Sequence, residues 1–232
     1  MAKKNILITG ASSGIGYALA TLFLKKGFTV YGLSRRTPGI DDPDFIFIPC
    51  DLNRIETIPD ALLDPLPCET VFDYVILNAG VLGAIEPIAS SNLEALKEVM
   101  DVNVWANKVL IDILVQKGVH IRQMIAVSSG AAVNGSKGWG AYSLSKAALN
   151  MLMKLYAREM AETHITALAP GLVITPMLEE ILQGVDPEQF PSVARLQAGE
   201  KRTPEEAALL LIKTFPRLFE LESGSFVDVR DL

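Results

Sequence analysis

Tyr142 and Lys146 stand four residues apart in Tyr142-Ser143-Leu144-Ser145-Lys146. On a helix that spacing puts both side chains on one face. A phenol ordinarily keeps its proton to a pKa near ~10. A tyrosine that exchanges a proton near neutral pH therefore needs help, and a neighbouring ammonium supplies it by favouring the phenolate. A shift of about three units corresponds to roughly 4 kcal/mol of differential interaction. A surface Tyr and Lys on one helix face would share this spacing, so the pair gains meaning only from what surrounds it.

A second feature lies near the start of the chain. Thr9-Gly10-Ala11-Ser12-Ser13-Gly14-Ile15-Gly16 joins an apolar run to a helical one. Gly10 allows a tight turn, Gly14 lets backbone N–H groups approach a pyrophosphate, and Gly16 lets the helix pack closely on the strand. The helix N-terminus adds positive potential for phosphates. No Gly-Lys-Ser/Thr follows, so this is not a P-loop. Were the ligand of this turn a nicotinamide dinucleotide, its selectivity would usually lie at the end of the second strand, where an acid binds the ribose 2′-OH of NAD. Here the text is Gly32-Leu33-Ser34-Arg35-Arg36-Thr37, without an acid. An arginine there can bind a 2′-phosphate and stack on adenine. Arg35 and Arg36 therefore point to NADP(H) in preference to NAD(H). Asp41 and Asp42 are the alternative, should the next loop fold back to the ribose.

These groups need a frame to hold them. Apolar runs at Asn5–Thr9, Phe28–Ser34, Phe45–Pro49, Asp73–Leu77, Gln123–Ser128, Ile165–Ala169 and Ser225–Val229 read as strands. Helical periodicity separates many of them: Ile15–Lys26, Leu93–Lys117, Tyr142–Ala161 and Pro204–Phe215, the last with Thr203 as N-cap. Nearly wholly apolar strands between amphipathic helices imply an α/β doubly wound parallel sheet with helices on both faces. Only Arg35–Asp44 separates the second and third strands, so the crossover helix there is expected to be reduced to a loop.

The 232 residues suit one large domain, 1–232, with a substrate loop over about 177–203. A formal charge of −6 and a basic pair no longer than Lys3-Lys4 give no footprint for nucleic acid. No apolar run or signal-like segment suggests a membrane. Cys50 and Cys68 make no disulfide framework, so a cytoplasmic setting is expected. His120 and His164 lie too far apart in sequence for a metal-site spacing.

Together with Tyr142 and Lys146, the spacing Gly10-x3-Gly14-x-Gly16 resembles the short-chain dehydrogenase/reductase family. Asn78-Ala79-Gly80, Asn103, Ser128-Ser129 and Pro170-Gly171-Leu172-Val173-Ile174-Thr175 follow in family order. The resemblance implies reversible hydride transfer between a nicotinamide and a carbonyl or alcohol carbon, on one Rossmann-like domain of about seven strands. It makes Tyr142 the general acid in reduction and the base in oxidation. Lys146 would also bind the nicotinamide ribose, and Asn103 would place a water between Lys146 and solvent. Ser129 would hold the substrate oxygen; it is preferred to Ser128 because the family serine precedes its tyrosine by thirteen positions, and 142 − 129 = 13. Thr175 and the backbone at Val173 would meet the carboxamide, and Asp51 the adenine amine. The implied cofactor set also includes Ser12, Ser13, Ile15, Leu52, Asn78, Ala79, Gly80, Pro170 and Gly171.

Three stretches would wall the substrate pocket: Val81–Pro87, Gly130–Ala141 and Met177–Gln197. They offer Leu82, Ile85, Val133, Trp139, Met177, Leu178, Ile181 and Phe190, so a small, moderately hydrophobic carbonyl compound is expected. The resemblance weakens after about residue 176. The end of the chain, Ser223-Gly224-Ser225-Phe226-Val227-Asp228-Val229-Arg230-Asp231-Leu232, lacks the closing glycines of many members. That favours a homodimer through the two long helices, with a tetramer as the alternative. A non-catalytic nucleotide sensor on the same fold is the rival reading, as are enoyl reduction or epimerisation at the same site.

Overall fold

A computed structural model describes residues 3–232. Strands β1 (Asn5–Thr9), β2 (Thr29–Ser34), β3 (Phe45–Pro49), β4 (Val71–Leu77), β5 (His120–Val127), β6 (His164–Ala169) and β7 (Phe226–Asp228) form one seven-stranded sheet. Every pairing is parallel, in the order β3-β2-β1-β4-β5-β6-β7. The helices are α1 (Gly14–Lys25), α2 (Ile58–Leu63), α3 (Leu93–Met100), α4 (Ala106–Gln116), α5 (Ala131–Asn134), α6 (Gly140–Glu159), α7 (Pro176–Gly184), α8 (Pro191–Ala198) and α9 (Pro204–Thr214). This is the doubly wound α/β fold that the alternating pattern implies.

Successive strand residues face opposite sides. Leu7 and Val75 meet Leu62 of α2, Leu110 of α4 and Met153 of α6 in one buried layer. Ile6, Ile8 and Ile76 meet Leu19 and Phe23 of α1 and Leu211 of α9 in the other. Strands buried on both sides must be apolar at nearly every position, which is why they read as continuous runs. As expected, Arg35–Asp44 carries no helix, yet β2 and β3 pair in register from Val30↔Phe45 to Ser34↔Pro49.

Three local features differ from expectation. The long helix Leu93–Gln116 is interrupted by a π-helical turn at Asp101–Trp105. A short helix, α2, lies between β3 and β4, seating Ile58 and Leu62 in the core. The stretch read as a substrate loop contains two helices, α7 and α8, which close over a third apolar cluster of Trp139, Leu178, Ile181, Phe190 and Val193. The expected cap of α9 is present: Thr203 Oγ1 accepts from Glu206 N at 3.2 Å, and the Glu206 carboxylate accepts from Thr203 N at 2.8 Å. Among the described residues, no helix is long and apolar enough to cross a membrane.

The order of winding reverses at β1, which lies between β2 and β4. A crevice opens at such a switch point, outside the carboxyl ends of the strands. Thr9 Oγ1 pins its rim by accepting from the N–H groups of both Asn78 and Ala79 at 3.0 Å. Asn78 Nδ2 returns a bond to Thr9 O at 2.9 Å. The turn above is tight enough that a Cβ on Gly16 would lie 2.3 Å from Gly10 O and 2.6 Å from Asn78 Nδ2. Gly16→Ala should therefore push α1 away from the turn, costing about 1–3 kcal/mol. In thermal denaturation that is a fall in Tm of roughly 5 °C. Gly184→Ala, where a Cβ meets nothing within 4 Å, should move Tm by less than about 2 °C. Equal effects would refute the close-packing account.

Candidate active site

A cleft of about 1180 Å³ runs along the carboxyl ends of the strands. One end is lined by Arg35, Arg36, Asp51 and Leu52, the middle by Gly10, Gly14, Ile15 and Asn78–Gly80, and the other end by Ser129, Trp139, Tyr142 and Leu178. Ser12, Ser13, Lys146, Pro170, Gly171, Val173 and Thr175 also face it. Asp41 and Asp42 do not; Asp42 Oδ1 instead accepts from Asp44 N at 2.9 Å within its own loop. Gly16 and Asn103 lie behind the wall of the cleft.

The glycine turn fits a phosphate group. Gly10 and Gly14 have φ of +71° and +55°, conformations that glycine adopts without strain. Ser13 caps α1 through its backbone, makes no side-chain cap bond, and the first turn holds no acid. The leading N–H groups of α1 are thus left for an anion. Arg35 and Arg36 are exposed and, among the described residues, form no ion pair within 4.0 Å.

Tyr142 and Lys146 lie in the first two turns of α6. Lys146 is 3% exposed, its Nζ lies 5.6 Å from the centre of the Tyr142 ring, and it donates to Val127 O at 2.8 Å. Burial away from water favours the neutral amine, bringing its pKa down to about 8. Burial likewise favours the neutral phenol and pushes Tyr142 up to about 12, opposed by the neighbouring Ser129 hydroxyl. Ser129 Oγ also accepts from Ala131 N at 3.1 Å. Ser128, by contrast, is 2% exposed and donates to Asn150 Oδ1 at 2.6 Å, turned into α6. Of the two serines, Ser129 is the one beside the Tyr142 side chain, while Ser128 is engaged by Asn150.

Asn103 sits in the π-helical turn and is fully buried. Its Oδ1 accepts from Val81 N at 2.8 Å, and its Nδ2 donates to Val81 O at 2.8 Å and Ser145 Oγ at 2.9 Å. Asn107 Nδ2 bonds its main-chain oxygen at 2.9 Å. The side chain thus ties the loop after β4 to α6, a positioning task that the sequence did not reveal. Thr175 Oγ1 accepts from Leu178 N at 3.4 Å, capping α7.

The apolar wall needs correction at three positions. Val133 is 67% exposed and does not face the cleft. Phe190 and Ile85 also lie outside its lining, packed against Gly138, where a Cβ would meet them at 2.5 Å and 3.0 Å. A short helix turned Val133 outward, and the bare Gly138 backbone drew the other two into the lid core. Leu82, Trp139, Met177, Leu178 and Ile181 line the cleft as expected. Sequence reasoning missed Ser192 and Arg195 of α8, which also line it.

The short chain dehydrogenase family model matches residues 4–186. The chain belongs to the short-chain dehydrogenase/reductase family. It is 33% identical over 248 residues to an uncharacterized oxidoreductase of Schizosaccharomyces pombe, covering 98% of this chain and 96% of that one. It is 30% identical over 241 residues to a benzil reductase ((S)-benzoin forming) of Bacillus cereus, covering 92% and 96%. A short-chain dehydrogenase/reductase structure from Saccharomyces cerevisiae superposes with a TM-score of 0.79 at 25% identity, over 98% and 96% of the two chains. The protein is thus an oxidoreductase of this family.

Burying Lys146 has a thermodynamic consequence. Its folded pKa, about 8, lies below the ordinary lysine value. Between those values the unfolded chain binds more protons, so stability rises with pH; below pH ~8 the penalty is complete, about 3 kcal/mol. Lys146→Met removes it and forfeits one hydrogen bond of about 1 kcal/mol. The variant should exceed wild type by roughly 2 kcal/mol at pH ~7 in urea denaturation, with the gain fading towards pH ~10. A variant less stable than wild type at neutral pH would contradict the burial account.

Proposed function

We propose that the chain transfers hydride between NADP(H) and a small, moderately hydrophobic carbonyl or alcohol compound, with Tyr142 as general acid and base. The observation that carries this reading is the meeting of Tyr142, Lys146 and Ser129 at one end of a cleft whose middle is the α1 N-terminus, free of any side-chain cap. The dinucleotide, when bound, supplies the hydride. The remaining work falls to the chain. Ser129 orients the substrate oxygen towards the Tyr142 hydroxyl. In reduction the phenol gives its proton to that oxygen as negative charge develops there; in oxidation the phenolate takes it back. Lys146 stabilises the phenolate from behind, and Asn103 holds the loop and helix between which Lys146 sits.

Preference for NADP(H) rests on Arg35 and Arg36 facing the cleft while Asp41 and Asp42 lie outside its lining. Charge-assisted, bidentate bonds to a phosphate suit a guanidinium. The substrate reading draws on the apolar walls and on the similar benzil reductase, which favours α-diketones as first candidates. The same reading includes a cytoplasmic homodimer: Leu144, Met151 and Leu155 leave more than half their surface exposed along α6, and Trp105 adds 47% beside α4.

Tyr142→Phe should keep cofactor binding and lower benzil reduction about 10³-fold, the scale of a general acid; retained turnover would refute the assigned role. Arg35→Ala should weaken NADPH binding about tenfold or more and leave NADH binding unchanged. Nicotinamide fluorescence titration reads both, and an unchanged NADPH dissociation constant would overturn the selectivity assignment.

A further inference from the structure

Beside Ser192 the cleft adjoins a smaller lobe of about 300 Å³, walled by Asn134, Ser136, Pro191, Ser192 and the exposed Lys137 and Arg195. Asn134, Ser136, Ser192 and Arg195 also line the main cleft, so the two spaces adjoin. The lobe differs from the apolar walls beside it in having two cations and no carboxylate. Glu98 and Glu180 line the main cleft and not the lobe. Among the described residues, neither Lys137 nor Arg195 forms an ion pair within 4.0 Å.

The donors around the lobe are only partly used. Arg195 gives one guanidinium N–H to Ser136 Oγ at 3.3 Å, leaving most of its fork free. Lys137 Nζ lies over the Phe190 ring, 5.6 Å from its centre, which holds the ammonium at the lid. Ser192 is 9% exposed, and its Oγ accepts the Trp139 indole N–H at 2.7 Å. The Ser192 hydroxyl proton has no acceptor among the protein bonds. The hydroxyl proton is therefore free to turn towards a ligand in the lobe. The lobe also lies at the start of α8, which has no side-chain cap and no acid in its first turn.

We propose that this lobe is an anion subsite of the substrate pocket, built for a carboxylate carried by the ketone some distance from its reacting carbonyl. Arg195 presents a planar fork that matches a carboxylate, Lys137 adds charge, and Ser192 donates from below. What the anion is attached to rests on the reductase reading; the subsite itself does not.

Two readouts separate them. The first is the ratio of kcat/KM for 4-acetylbenzoate to that for its neutral methyl ester, with NADPH. In wild type the acid should be preferred, and Arg195→Met should lower the ratio about tenfold or more, the effect of losing one charge-assisted bond. The second is calorimetric binding of 4-acetylbenzoate to the protein, which needs no turnover. Its dissociation constant should rise in Arg195→Met and, to a smaller extent, in Lys137→Met. Binding that depends on Arg195 without turnover of either ketone would support the subsite and count against the reductase reading. A ratio and a dissociation constant unmoved by Arg195→Met, or no binding of the acid to wild type, would overturn the subsite.

Discussion

Removing one ammonium from water sets the terms for the rest of the site. Lys146 is enclosed by Val127, Tyr142 and the Gly80–Asn103 wall, with a single strand carbonyl as its protein acceptor. Burial disfavours a charge in that position, and in the proposed mechanism a phenolate beside it would offset that cost. The tyrosine has the opposite problem: burial holds its proton firmly. Burial thus opposes the charged form of each group, and the proposed mechanism matches the two as a pair. A surface Tyr and Lys at the same spacing would have no such coupling, because water would screen both.

The fold serves to keep that pair buried and aimed. Parallel strands with both faces covered give a rigid edge, and the reversal at β1 opens it at one place. Thr9 and Asn78 lock the two strands that flank the opening, and Asn103 locks the loop that follows to the helix that carries Lys146. Those polar side chains are spent on holding backbone, which leaves the open N–H groups of α1 and the exposed Arg35 and Arg36 as the groups free to meet a ligand. The lid helices then supply an apolar wall with a cationic corner.

The sequence revealed what is governed by local pattern. Phe45–Pro49 and Asn5–Thr9 were legible residue for residue because buried strands are uniformly apolar and bounded by turn residues. The loop between β2 and β3 was legible from its length. Interactions between distant segments were not. Nothing in Asp101–Trp105 announces a π-helical turn, since it arises where Asn103 must reach both Val81 and Ser145. The lid helices α7 and α8 are short and broken by Gly184 and Pro191, which gave too little periodicity to read. Val133 and Phe190 looked like pocket walls by position, but their directions are set by a single short helix and by Gly138. Arg195 and Ser192 carried no motif at all; their meaning comes from the space between them and Lys137.

The account turns on Tyr142 and Lys146 titrating as a buried couple, and the pH dependence of kcat/KM for NADPH-dependent reduction of benzil tests that most directly. With the lysine losing its proton near pH 8, the tyrosine becomes a weaker acid above that point. The account predicts a level profile at lower pH and a decline that begins near pH 8. A profile that stays flat to pH ~10, where an ordinary lysine would begin to titrate, or one that rises with pH, would contradict it.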